Sequence, residues 1–244
     1  SCKATAISQK LPLYRHISNI SGNRKLTLPV SQMNMLDGGA HVGADNDIQE
    51  YMIIPHAFKS FSESLRAGTE TYHIIKKSIM KRFGYKAATL TAEGGFIVPL
   101  DDAEKRLQLL QNSIEEAGYS KKISLALDSA ASEFYRNGKY FIGKKIMSAG
   151  ELADFYKKLI KDYPIVSIED GMAEDDWEGW SLLHREIGNK IQLVGDDLLA
   201  TNIKRIQMAL SHKACSALLL KVNQIGTVTE AIDAALISAK NKWN

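Results

Sequence analysis

From about Lys122 onward, short apolar runs alternate with longer stretches in which apolar residues return every three or four positions. The first pattern suits strands covered on both faces and the second suits helices with one core-facing stripe, so the rhythm predicts βα units. Predicted strands are Ile123-Ser-Leu-Ala-Leu127, Pro164-Ile-Val-Ser-Ile168, Ile191-Gln-Leu-Val194 and Ala217-Leu-Leu-Leu220. Each is short and apolar, as parallel strands buried between helices are. Helix starts are predicted at Ser148 with Glu151, Thr227 with Glu230, Ser60 with Glu63 and Asp101 with Glu104. There a side-chain oxygen and a carboxylate three positions on can satisfy the free N–H groups of a first turn. The helix after Asp101 is expected to stop near Gly118. Leu152, Phe155, Tyr156 and Leu159, together with Trp177 and Trp180, fall on helical faces and read as core or interhelical packing. Up to Glu50 the pattern changes, because Gly22, Pro29, Gly38, Gly39 and Gly43 punctuate short extended pieces. Antiparallel strands and loops are predicted there.

Composition narrows this picture without redirecting it. A chain of 244 residues that is 45% hydrophobic can bury one large core, as a single α/β barrel or as two smaller domains. Lys+Arg and Asp+Glu nearly balance at a net +3, and no dense basic run carries interleaved aromatics, so no nucleic-acid footprint is indicated. Small anionic substrates stay open. Cys2 and Cys215 are too few for a disulfide framework. No apolar span reaches the roughly 18 residues of a membrane helix, and no charged-then-apolar leader pattern opens the chain. The expectation is a soluble cytoplasmic protein without membrane partners.

Candidate chemistry lies where the predicted strands end. Asp128 closes the first run, Glu169 and Asp170 the second, Asp196 and Asp197 the third, and Lys221 follows the fourth. Strands of a parallel barrel deliver their C-terminal ends to one mouth, where active sites of such folds sit. Carboxylates converging from separate strands are the hard oxygen ligands that Mg²⁺ accepts. An acid after a strand is also commonly a helix cap or a solvated loop residue, and a lone lysine can snorkel to solvent. Repetition of acid at the same phase in successive units favours the site.

Longer motifs now carry a family resemblance. They are Asp37-Gly-Gly-Ala-His41, Asp47-Ile-Gln-Glu50, Glu93-Gly-Gly-Phe96, Ala126-Leu-Asp128 with Ala131-Ser-Glu-Phe-Tyr135, and Ser167-Ile-Glu-Asp-Gly171 with Ala173-Glu-Asp-Asp-Trp177. Gly195-Asp-Asp-Leu198 with Thr201-Asn202, and Leu220-Lys-Val-Asn-Gln-Ile-Gly-Thr227, complete the series. Together they resemble enolase, in enolase order and nearly end to end. The resemblance implies an incomplete TIM-type α/β barrel of the enolase C-terminal domain kind, lacking its last βα units and the N-terminal α+β domain. Residues 1–27 would then be the junction after that domain and 28–244 the barrel, truncated at its C-terminus. Such a barrel would leave unpaired strand edges and uncovered apolar faces, to be completed by more chain or by another molecule.

The function implied is magnesium-dependent dehydration of 2-phosphoglycerate to phosphoenolpyruvate in glycolysis, with a small-molecule substrate and a homodimer when complete. Asp128, Glu169 and Asp196 match the family's magnesium ligands, and Lys221 matches its general base. Glu93 matches the catalytic acid, Glu50 its acidic partner, and His41 a loop histidine that closes over substrate, with Gln49 beside Glu50. Without the family, His41 reads as a loop residue and Gly94-Gly95 as a turn. The chain also departs from the pattern. Enolases usually write Gly-Asp-Glu-Gly-Gly-Phe where Thr91-Ala92-Glu93-Gly94-Gly95-Phe96 stands, so an acidic neighbour of Glu93 is replaced. Asp37 stands where asparagine is common. These changes leave as alternatives a non-catalytic relative retained for binding or assembly, and a wider-superfamily member acting on another carboxylate.

Overall fold

The computed structural model describes residues 1–244. A mixed sheet of seven strands forms its centre, in the order β10-β9-β8-β4-β2-β1-β3. Its members are β1 (Met33–Asp37), β2 (Glu50–Pro55), β3 (Phe96–Ile97), β4 (Ile123–Asp128), β8 (Ile165–Glu169), β9 (Gln192–Gly195) and β10 (Ala217–Leu218). From β4 to β10 neighbouring strands are parallel, whereas β2 runs antiparallel to both β4 and β1. A small antiparallel sheet of β5 (Tyr135–Arg136), β6 (Lys139–Ile142) and β7 (Lys145–Met147) follows β4.

The apolar runs became strands because helices cover them. These are α3 (Phe61–Phe83), α4 (Ala103–Glu116), α5 (Ala149–Asp162), α6 (Trp177–Ile187), α7 (Ile203–His212), the short α8 (Val222–Ile225) and α9 (Val228–Lys240). One apolar cluster of 43 buried residues lies between helices and sheet, with Leu125, Leu127, Ile168 and Leu193 fully buried in adjacent strands. Leu152, Tyr156 and Leu159 of α5 and Trp180 of α6 join it, the indole donating to the Ala173 carbonyl at 3.1 Å. Trp177 is only half-buried and stacks on His212. The Ser148 and Glu151 side chains form a reciprocal capping box at α5, and Ser60 and Thr227 cap α3 and α9. At α4 the cap is Asp102 rather than Asp101, and Gly118 follows the helix at φ 77°.

One prediction is corrected here. Residues before β1 hold helices, α1 (Cys2–Ser8) and α2 (Leu13–Ser21), not only extended pieces and loops. Leu13, His16, Ile17 and Ile20 of α2 recur at helical spacing, which outweighs the nearby turn formers. The antiparallel β1–β2 pair is present as expected.

The sheet does not close on itself, since β10 forms one edge and β3 the other. Neither edge is bare. Asn244 donates to the Ser216 carbonyl at 3.2 Å and accepts from the Leu218 N–H at 3.0 Å, while the Ile97 N–H reaches the Thr89 carbonyl at 2.9 Å. Apolar side chains do remain uncovered between α2 and α9, where Leu220 is 47% and Leu236 50% exposed. No helix is long and apolar enough to cross a membrane.

Burial separates structural leucines from these exposed ones. Leu193→Ala, at a fully buried central position, is expected to lower unfolding free energy by about 2–5 kcal/mol in urea titrations. Leu236→Ala is expected to change it by no more than about 0.5 kcal/mol in the same measurement.

Candidate active site

Strand direction brings the acids together. Glu50 opens β2, but because β2 runs opposite to β4 its first residue lies beside the last residue of β4, Asp128. Asp128 in turn pairs in register with Glu169 at the end of β8, and Glu50 with Asp37 at the end of β1. Asp37, Glu50, Asp128 and Glu169 thus form one row across four adjacent strands. Asp196 and Asp197 follow β9, and Lys221 follows β10. A cavity of about 480 Å³ opens at this rim, and Asp128, Glu169, Asp196, Lys221, Glu50, Glu93 and His41 all line it. These seven candidate site residues therefore line one space.

The positions are held by specific contacts. The Asp128 carboxylate accepts from Gln49 Nε2 at 3.2 Å and from the Ala130 N–H at 3.0 Å. Asp196 accepts from Gln224 Nε2 at 2.7 Å and pairs with the Lys221 ammonium. Thr201 fixes the lysine from behind, its hydroxyl accepting from the Lys221 N–H at 2.9 Å. Asp170 plays a part that the sequence reading did not give it. Its backbone turns to φ 41°, and its carboxylate accepts from the N–H groups of Asp196 at 3.1 Å and Asp197 at 2.7 Å, fixing the β9 loop. The adjacent Glu169-Asp170 pair was the available signal, but only the fold brings the β9 loop to the second of them.

On the opposite side, His41 Nδ1 lies 3.1 Å from Asp37 Oδ1 and 3.7 Å from Glu50 Oε1, and its Nε2 lies 3.9 Å from Glu93 Oε1. The Glu93 side chain is 57% exposed and that of Glu50 13%, so the two acids differ sharply in solvation.

Burial and mutual repulsion dominate the electrostatics. Desolvation, followed by the charges of Asp128, Asp170, Asp196 and Glu50, pushes Glu169 up to about 10. Glu50 is pushed up to about 9 by burial first and then by its hydrogen bond with Glu93. Burial also lifts Asp128 to about 6 against the stabilising Ala130 N–H, and holds Asp170 well above the usual carboxylate range. Burial works against the charge on Lys221, but the Asp196 hydrogen bond and the charges of Asp196, Glu169 and Asp128 outweigh it and raise its pKa.

These oxygen donors are compatible with a hard divalent cation, whose charge would offset the burial and repulsion that raise Glu50, Asp128 and Glu169. Asp128, Glu169 and Asp196 share the cavity, but the acids gathered within 4.8 Å of one another are Asp170, Asp196 and Asp197. Asp37, His41 and Glu50 form a second such group.

The family model for the enolase C-terminal TIM barrel domain matches residues 25–244. The chain belongs to the enolase family. It is 45% identical over 251 residues to an enolase from Solanum lycopersicum and 45% identical over 241 residues to one from Methanocaldococcus jannaschii. Each alignment covers 99% of this chain and 56% of the relative, so the chain spans little more than half the length of these enolases.

The raised carboxyl groups give the stability of metal-free protein an inverted pH dependence. Glu169 and Glu50 have folded-state values above their ordinary 4.5, so between those limits the folded chain binds more protons than the unfolded chain. Their contribution is complete below about pH 4 and is lost as pH rises through about 9 for Glu50 and about 10 for Glu169. Denaturant midpoints in chelator are expected to fall over that range, and added Mg²⁺ is expected to flatten the decline.

Proposed function

We propose that this chain contributes the catalytic barrel of a magnesium-dependent enolase, which interconverts 2-phospho-D-glycerate and phosphoenolpyruvate. The observation that carries the reading is the convergence of Lys221, the buried acids, Glu50, Glu93 and His41 on a single cavity. An amine facing acids across a small polar space suits removal of a proton beside a carboxylate and departure of a hydroxyl on the opposite side.

Asp128, Glu169 and Asp196 would hold the magnesium ion. When bound, it supplies positive charge against the second negative charge that develops on the substrate carboxylate. Lys221 takes the proton from the carbon next to that carboxylate. It can do so only as the free amine, and the acids around it are what keep it an ammonium. Neutralising those acids releases Lys221 from Asp196 and lowers its proton affinity, which couples readiness of the base to occupancy of the acidic rim.

Departure of the hydroxyl needs a proton donor. Glu50 retains its proton at neutral pH because it is buried and bonded to Glu93. Glu93 is the more exposed of the two and stands nearer the open side, so it delivers the proton while Glu50 replenishes it. His41 bridges the pair from the loop and fixes their spacing.

The test is formation of phosphoenolpyruvate from 2-phosphoglycerate, followed by ultraviolet absorbance, in this chain and in one extended to the length of its relatives. Magnesium should be required, and Lys221→Ala should lower turnover by about 100-fold or more while the protein stays folded. Undiminished turnover in Lys221→Ala, or none in the folded, metal-loaded extended chain, would overturn the reading.

A further inference from the structure

Thr91 and Asp37 lie where this chain departs from the usual enolase pattern, and they touch. The Asp37 side chain is fully buried. Its Oδ1 accepts from Asn34 Nδ2 at 2.8 Å and faces His41 Nδ1 at 3.1 Å. Its Oδ2 accepts from the Thr91 hydroxyl at 2.5 Å. That hydroxyl also accepts from the Glu93 N–H at 3.2 Å, so its one proton and one of its two lone pairs are committed. A ring of contacts results: His41 to Asp37, Asp37 to Thr91, Thr91 to Glu93, and Glu93 back to His41 Nε2 at 3.9 Å.

The surrounding backbone leaves room for this ring. A Cβ at Gly95 would lie 2.1 Å from Asp37 Oδ2, so only glycine admits the carboxylate there. The turn is closed by the Thr91 N–H donating to Gly95 at 3.0 Å, and Tyr72 anchors it by donating to the Gly94 carbonyl at 3.0 Å. Ala92, where an acid is usual, is exposed and lies outside the network.

We infer that Asp37 and Thr91 are a matched positioning pair that sets Glu93 against His41, taking over at position 91 the orientation of the acid's loop. The chemistry explains why the two residues suit each other. A carboxylate offers an acceptor on each side and can receive His41 on one oxygen and Thr91 on the other. An amide would place an NH2 donor at one of these two positions and so cannot accept on both sides. Conversely, a hydroxyl at 91 needs an acceptor at that distance, which the second carboxylate oxygen supplies. Neither residue touches the reacting atoms; they act through His41 and Glu93.

The inference rests on the proposed reaction, so its test has one readout that does not depend on turnover. In the full chain, Thr91→Val keeps the shape and removes the hydroxyl, whereas Thr91→Ser keeps the hydroxyl. Amide hydrogen exchange at Glu93, followed by NMR, should accelerate at least about 10-fold in Thr91→Val and stay near the parent rate in Thr91→Ser. In turnover assays of the extended chain, Thr91→Val should lower kcat about 10-fold or more with KM within about twofold, and Thr91→Ser should restore most of it. Asp37→Asn added to Thr91→Val should cost little further, because the pair is already broken. Unchanged Glu93 exchange in Thr91→Val, a serine variant as impaired as the valine one, or fully additive losses would overturn the pairing. Absence of turnover in every variant alongside the expected exchange pattern would instead count against the proposed reaction and leave the pairing supported.

Discussion

Strand register concentrates negative charge at one end of this sheet. Asp37, Glu50, Asp128 and Glu169 sit side by side across four strands, and like charges placed directly opposite oppose folding. Burial raises the penalty further. The chain meets it with local answers. Asp37 has Asn34, Thr91 and His41, Asp128 has Gln49 and an N–H, and Asp196 has Gln224 and Lys221. Glu50 and Glu169 keep their protons instead. Oxygen donors gathered in this way are compatible with a metal ion.

The rest of the molecule holds that arrangement still. Strands β4, β8 and β9 are anchored through fully buried leucines and isoleucines, so the carboxylates at their ends inherit the rigidity of the core. The opposite side is built on turns, and its support is polar. Buried Arg106 of α4 pairs with Asp47 and donates to the Tyr51 hydroxyl at 3.3 Å, bracing the loop between β1 and β2 that carries His41 and Gln49. The site therefore joins a stiff acidic wall to a rim set by hydrogen bonds.

Much of this was legible before any coordinates. Four apolar runs marked β4, β8, β9 and β10 because parallel strands buried on both faces need continuous apolar sequence. Ser60, Ser148 and Thr227 marked helix starts because a cap is a local bond between near neighbours. Short or sparse signals misled. Helix α2 was hidden among turn formers, and the hairpin around Asn137-Gly138, both at positive φ, was passed over although that dipeptide favours such turns. Asp102 took the cap expected of Asp101, a shift of one residue that local bonding decides.

By itself the sequence determined that Asp128, Glu169, Asp196 and Lys221 end successive apolar runs, and so that they are candidates for one shared mouth. It also determined the family, through long motifs in a fixed order. Only the tertiary structure decided that Glu50 lies beside Asp128, since this follows from the antiparallel direction of β2. It alone separated the exposed Glu93 from the buried Glu50, gave Asp170 the N–H groups of Asp196 and Asp197 to hold, and joined Thr91 to Asp37 across 54 residues of chain. Proton affinity and orientation depend on burial and on partners distant in sequence, and those exist only once the chain has folded.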